Sequence, residues 1–323
     1  MDSSRRAFLA SGLAGAGALA GCTTRSASAT PWEHVQSNTS SALYDVVVGN
    51  DAPYAVGESG LVLRRGGGDQ GWQRVVENGP HALQSSLVGA ATTDNGGNVW
   101  FCGGSGTIGM WNTVTQSMTD YSQPNDITSS WEDVAVVGLA GQEYVYLVNS
   151  SGELLVGSNN DGEMTWADAV TKPGGGSTAP AIVFDVHGFG YVADTGGAVY
   201  ESVNGGRDWR QIGIPNADVA LHDISAVATN TIDVAGGTGS LYRFDGFDWS
   251  TLRLGEKTLY AVDRTRRDGI VGGESGTVFE FTADGWRASP TPADDTLHGV
   301  IIASPSQPAL AVGENGTIIE RQD

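Results

Sequence analysis

One short motif recurs down almost the whole chain and limits what it can fold into. It first reads Gly57-Glu-Ser-Gly60-Leu-Val-Leu, then Gly103-Gly-Ser-Gly106-Thr-Ile, then Asn149-Ser-Ser-Gly152-Glu-Leu-Leu. Asp194-Thr-Gly-Gly197-Ala-Val-Tyr, Gly236-Gly-Thr-Gly239-Ser-Leu-Tyr, Gly273-Glu-Ser-Gly276-Thr-Val-Phe and Gly313-Glu-Asn-Gly316-Thr-Ile-Ile follow. The last glycines of these seven turns lie 46, 46, 45, 42, 37 and 40 residues apart. A period of roughly 40–45 residues, filled with short apolar runs and glycine turns, is the spacing of four-stranded units arranged in a ring. The expected fold class is therefore all-β, a seven-bladed β-propeller of four-stranded blades.

Each unit has the same grammar. Leu43-Tyr-Asp45-Val-Val-Val48 is a β-branched run and Tyr54-Ala-Val56 a second strand; Leu61-Val-Leu-Arg64 is a third and Gly71-Trp72-Gln-Arg-Val-Val76 a fourth. Helical periodicity appears nowhere beyond the N-terminal leader. The repeated glycine is expected at positive φ, which costs a residue bearing a Cβ and is free for glycine. A tryptophan recurs at the fourth strand: Trp72, Trp166, Trp209, Trp249 and Trp286 come 12, 14, 12, 10 and 10 residues after their turn glycines. Blade 2 departs, with Met118 at that position and Trp111 misplaced. The tryptophans read as inter-blade packing, with each indole N–H bonded to a neighbouring turn.

The ends of the chain complement one another. The seventh unit stops at Ile318-Ile-Glu-Arg321 with no fourth strand, and Pro31-Trp32-Glu-His-Val35 ahead of the first unit has the form of the missing piece. The N-terminal strand is thus expected to join the last blade and close the ring, pairing an otherwise bare edge.

Residues 1–21 are set aside as an export signal. Ser4-Arg5-Arg6-Ala7-Phe8-Leu9 resembles the twin-arginine signal, and Leu19-Ala20-Gly21-Cys22 resembles a lipobox whose cysteine is lipidated. The apolar stretch between them is shorter than the ~20 residues that span a bilayer. Residues 22–30 read as a flexible tether and residues 31–323 as the propeller. The expected location is the outer face of the cytoplasmic membrane, with the chain held there through lipid on Cys22. With Cys22 so used, Cys102 has no disulfide partner and is expected as a small buried hydrophobe. Asn38, Asn149 and Asn315 begin formal glycosylation sequons.

The formal charge is −20, and lysine is confined to Lys172 and Lys257. Acidity spread this evenly excludes a nucleic-acid-binding role, which needs a basic face. It resembles the surfaces of proteins from salt-loving archaea, where salt screens carboxylate repulsion.

Ser202-Val-Asn204-Gly-Gly206-Arg-Asp-Trp209 resembles the Asp-box hairpin of BNR-type propellers, with Ser202, Asn204, Gly206 and Trp209 as its structural residues. Ser158-Asn-Asn-Asp161-Gly162-Glu-Met-Thr-Trp166 is a looser copy, one residue longer. The recurring Leu-x-Asp-Val, aromatic-Val-Gly and Gly-x-Ile elements are also similar to the WD40/YVTN/BNR-like repeat of photosystem II assembly and stability factors. The resemblance covers about residues 31–323 and implies a fold, because the matching positions are turns and packing residues.

No catalytic set is legible. A sialidase-like site needs arginines gathered from separate blades; here Arg64 and Arg65 share a third strand, and Arg264, Arg266 and Arg267 are expected together in one inter-strand loop. Gly104-Ser-Gly106-Thr-Ile-Gly109 matches a dinucleotide fingerprint by letters but leads into a strand, so no helix N-terminus faces a phosphate. No cofactor and no metal ligand set is expected. One constellation stands out just before the innermost strands: Tyr44-Asp45, Glu132-Asp133, His222-Asp223, Tyr260-Ala261 and His298-Gly299. Tyr44, Glu132, His222, Tyr260 and His298 are expected to converge on one mouth of the central channel as a binding site. His34, His81 and His187 fit no such pattern. The expectation is a monomeric, non-enzymatic binding or assembly scaffold with a protein partner at the membrane or cell surface. The alternatives are a carbohydrate-active hydrolase or lyase built at the channel mouth, and a lipoprotein that binds glycans or small ligands.

Overall fold

The computed structural model describes residues 30–322 apart from positions 68–69, 81, 215–216, 229 and 306. Arg5 and Arg6 of the expected export signal, Cys22 of the expected lipobox, the expected tether up to residue 29, and His81 lie outside the described residues. The described chain forms seven separate four-stranded antiparallel sheets arranged as the blades of a propeller. Blade 1 comprises Leu43–Val48, Pro53–Gly57, Leu61–Arg65 and Trp72–Val76, laid in chain order from the channel outward. Blades 2 to 6 repeat this order, with innermost strands Leu87–Thr92, Trp131–Val137, Ala181–Phe184, Leu221–Ala228 and Leu259–Arg264.

Blade 7 is assembled from both ends of the chain. Its inner strands are Leu297–Ile301, Leu310–Gly313 and Ile318–Arg321, and its outermost is Trp32–His34. Trp32 faces Arg321, Glu33 faces Glu320 and His34 faces Ile319 in the antiparallel register, so the closure read from the sequence is the one found. Side chains lock this seam. The Trp32 indole N–H donates to Glu280 of blade 6 at 3.0 Å, Arg321 donates to the same carboxylate at 3.1 Å, and Arg65 of blade 1 grips Glu320 with two bonds of 2.7 Å.

The core lies between blades. Leu43, Val46, Leu63 and Trp72 of blade 1 pack on Leu310, Val312 and Ile318 of blade 7, and the remaining interfaces repeat this arrangement. The final glycines of all seven turns have φ between 65° and 85°. At Gly60 a Cβ would come within 2.1 Å of the Gly79 amide nitrogen, so close backbone approach as well as φ demands glycine there. Cys102 is free and fully buried, as expected of a small hydrophobe. Asn149 is also fully buried, its Oδ1 accepting the Ser151 and Glu153 amides, so the folded chain presents no glycan acceptor at that sequon.

The tryptophans differ from expectation in detail. Trp72 is buried to 1 % exposure, but neither its indole N–H nor that of Trp286 has a hydrogen-bond partner. Trp249 donates to the Ile212 carbonyl of blade 5's neighbour, blade 4, and Trp209 donates within its own hairpin, to Gly206. Packing area rather than a shared hydrogen bond is therefore what the repeat preserves. Blade 4 also has a fourth strand of only two residues, Arg210–Gln211, beginning after Trp209 instead of at it. The bond from the Trp209 indole to the Gly206 carbonyl accounts for this by holding Trp209 in the turn. In blade 3 the fourth strand, Glu163–Trp166, ends at its tryptophan.

Candidate functional site

A backbone irregularity repeated around the ring builds the mouth of the channel. In six innermost strands the pairing to the second strand slips by one residue: at Leu43/Asp45, Leu87/Gly89, Trp131/Asp133, Leu221/Asp223, Leu259/Ala261 and Leu297/Gly299. A bulge of this kind sets two residues against one and re-aims the side chains involved. The skipped positions are Tyr44, Val88, Glu132, His222, Tyr260 and His298. The five candidates therefore sit inside the innermost strands, at their bulges, and not ahead of them. In blade 4 the innermost strand begins only at Ala181 and pairs without a bulge.

Four of the five candidates come together. Tyr44 and His298 have ring centroids 5.5 Å apart, His298 and Tyr260 5.4 Å, and Tyr260 and His222 4.8 Å. The interplanar angles of 55°, 57° and 52° are close to the ~51° by which a seven-fold ring turns from blade to blade. Each ring thus keeps the same attitude to its own blade, and the four form a curved wall across blades 1, 7, 6 and 5. Burial holds both histidines below their usual range, so they are neutral at neutral pH, and it raises the Tyr44 and Tyr260 hydroxyls. Glu132 does not join them. It stands alone in blade 3, half-buried, with its carboxyl raised by burial.

Three glutamates accompany this wall, and the sequence reading passed over them as turn residues. Glu58, Glu274 and Glu314 occupy the same place in the tight turns of blades 1, 6 and 7. Tyr44 Oη donates to Glu58 at 3.4 Å, and His298 Nε2 lies 3.8 Å from Glu314. The Ala42 amide fixes Glu58 and the Thr258 amide fixes Glu274. The available signal was a Gly-Glu-[Ser/Asn]-Gly turn, which occurs in three blades that also carry a Tyr or His at the bulge.

Beneath the mouth, the channel encloses about 570 Å³ and is lined by aspartates. Asp45 accepts the Val46 amide of its own strand and the Ala90 amide of blade 2, at 2.7 and 2.8 Å. Asp133 does the same to Val134 and to Ile182 of blade 4, and Asp223 to Ile224 and to Val262 of blade 6. The Asp of the Leu-x-Asp-Val element is therefore a clamp between blades. It also alternates with small residues: Gly89, Ala181, Ala261 and Gly299 hold the place in blades 2, 4, 6 and 7. A Cβ on Gly89 would lie 2.8 Å from Asp133 Cα, and one on Gly299 2.8 Å from Asp45 Cα, so these two places admit no side chain. Blade 6 reaches blade 7 one step deeper, where Asp263 accepts the Ile302 amide at 2.9 Å. Burial raises Asp45 to about 7 and Asp223 to about 8 against the pull of these amides, with carboxylate repulsion around the ring adding to the rise.

The remaining candidates are dispersed. Ser202 Oγ accepts the Gly206 amide at 2.9 Å, and Asn204 Oδ1 accepts the Asp208 amide at 3.0 Å, forming a tight turn between the third and fourth strands of blade 4. The looser copy is a plain hairpin, in which Asn159 Oδ1 accepts the Gly162 amide. Arg64 pairs with Asp51. Arg264 is not in the loop with Arg266 and Arg267 but ends the innermost strand of blade 6, buried with its guanidinium 3.5 Å from the Phe281 ring centroid, whereas Arg266 and Arg267 are exposed. No arginine triad is gathered among the described residues.

Solved structures with this architecture are numerous, and their likeness is one of fold. YCF48 from Cyanidioschyzon merolae superposes with a TM-score of 0.69 at 18% identity, covering 91% of this chain and 99% of that one. YCF48 bound to D1 peptide gives 0.70 at 14% identity, covering 92% and 96%. A catalytically inactive virginiamycin B lyase from Staphylococcus aureus with quinupristin gives 0.73 at 12% identity, covering 90% and 98%. No protein-family model matches the chain, and no curated protein matches it.

Proposed function

We propose that this protein is a non-enzymatic scaffold that holds a protein partner on the channel-mouth face of its propeller. The observation that carries the reading is the continuous wall of Tyr44, His298, Tyr260 and His222, positioned by backbone bulges on a ring whose blades are clamped to one another. Preformed aromatic surface on a rigid frame binds at low conformational cost. The solved YCF48 complex with D1 peptide supports the reading as an example of a similar propeller that holds a polypeptide. In the same proposal the chain is exported through Arg5 and Arg6 and held at the outer membrane face by lipid on Cys22, with its −20 charge suited to concentrated salt. One acyl chain anchors marginally, so the partner itself contributes to retention.

Cross-linked recovery of the tagged protein from its own membranes at molar salt tests this. A stoichiometric partner lost on Tyr260→Ala, and membrane release on Cys22→Ser, are the expected results. A protein recovered alone, which cleaves a surface polysaccharide in a manner abolished by His222→Ala, would replace the scaffold with the hydrolase or lyase reading. The neutral imidazoles at the mouth are what favours that second reading.

A further inference from the structure

The chemistry of the mouth narrows what it can hold. Neighbouring rings of the wall lie about 5.2 Å apart and seven such steps would close a circle of about 6 Å radius, so a group on the channel axis lies about 6 Å from each of the four rings. That is the range over which aromatic rings attract a cation. Glu58, Glu274 and Glu314 flank the wall in the same sector. The wall carries no competing positive charge, because burial keeps His222 and His298 neutral. A neutral imidazole nitrogen and a tyrosine oxygen are also acceptors for N–H groups.

We infer that the channel mouth is a binding site for an organic cation, an ammonium or guanidinium group such as a lysine or arginine side chain, held by Tyr44, His298, Tyr260 and His222 with Glu58, Glu274 and Glu314. This rests on the scaffold reading and specifies the segment a partner inserts: a basic side chain entering the channel. The wall supplies shape and aromatic rings, and the turn glutamates supply charge. Blade 2 offers Val88 at the bulge and Gly104 in the turn, so the site is one-sided.

Isothermal titration of the full chain with capped tripeptides carrying one central arginine, lysine or norleucine tests the inference, with methylammonium and guanidinium as free cations. The basic peptides are expected to bind at least about tenfold tighter than the norleucine peptide. Tyr260→Ala and Glu314→Gln should each weaken them roughly threefold to thirtyfold, the span of a cation–π or exposed charge contact. Val88→Ala should leave affinity within about twofold. Melting curves of each variant separate lost binding from lost fold, and Tyr260→Phe keeps the ring in place should Tyr260→Ala unfold. Equal binding of the norleucine peptide, absence of binding by any basic probe, or affinity unchanged in folded Tyr260→Ala and Glu314→Gln would overturn the inference. Free cations binding as tightly as the peptides would assign the site to small amines, and tighter peptides would assign it to a protein side chain. A membrane partner still recovered with Tyr260→Ala, together with no preference for cations, would leave the scaffold standing and overturn this inference alone.

Discussion

The two halves of the ring are built from one repeat and do different things. Blades 5, 6, 7 and 1 carry His222, Tyr260, His298 and Tyr44 at their bulges, and three of these blades add a glutamate in the turn. Blades 2, 3 and 4 place Val88 and Glu132 at the bulge and, in blade 4, no bulge at all. The functionalised half is also the half that contains the seam where the chain ends meet. There the stabilising contacts are polar and long-range: Arg65 on Glu320, and Trp32 and Arg321 on Glu280. In the opposite half the comparable knot is local to two blades, with Asn98 and Trp100 of blade 2 both donating to the buried Glu143 of blade 3. A repeat fold can therefore keep its packing uniform while confining chemistry to one sector.

The largest effect should come from opening the seam. Deleting residues 31–36 removes Trp32, which is fully buried, and bares the edge of blade 7. Its loss is expected to exceed the ~3–5 kcal/mol of a buried tryptophan truncation, since the strand pairing goes as well. Thermal unfolding measures it, and a wild-type melting temperature would refute closure by the N-terminal strand. Next in size, Trp72→Ala in blade 1 should cost ~3–5 kcal/mol, while Trp209→Ala in blade 4 should cost less because Trp209 is only half-buried and packs edge-on against Phe184. Equal losses at the two sites would show that the halves are packed alike despite their different edges.

Arg65→Ala should be smaller, about 1–2 kcal/mol by denaturant unfolding. The fork on Glu320 is bidentate, but the arginine side chain is a third exposed and screened by solvent. The gentlest test is pH. Asp45 and Asp223 hold their protons more tightly folded, near 7 and 8, than an unfolded aspartate near 3.9 does. Their contribution is thus complete below about pH 4 and is lost as pH rises through 7 to 8. At molar salt, which screens the net charge, the melting temperature should fall between pH 5 and pH 9, and Asp45→Asn should flatten that fall. A melting temperature that climbs over this window would refute the assignment.

Much of this was legible in the sequence, for identifiable reasons. A glycine at positive φ and a period of about 43 residues are local signals, so the blade count and the turns could be read directly. The missing fourth strand and Trp32 gave the closure by simple complementarity. The convergence of Tyr44, His222, Tyr260 and His298 followed from their common place in the repeat. What could not be read depends on contacts across blades. The bulges that aim these side chains have no residue signature, since Leu-Tyr-Asp and Leu-His-Gly bulge alike. The clamp made by Asp45 needs the Ala90 amide, 45 residues away, and the unpartnered indoles of Trp72 and Trp286 depend on what surrounds them in the ring.

The aspartate clamps carry a consequence of parity. A pattern in which every second blade holds the carboxylate and the next is bare returns to its start only if the number of blades is even. With seven, the alternation must fail once, and it fails between blades 6 and 7, where Ala261 and Gly299 are both small and Asp263 clamps one step deeper. That dislocation marks an origin on a ring that its repeats would otherwise leave without one. A chain grown or shortened by a single blade would have to move the dislocation or abolish it, whereas a change of two blades could leave it where it is.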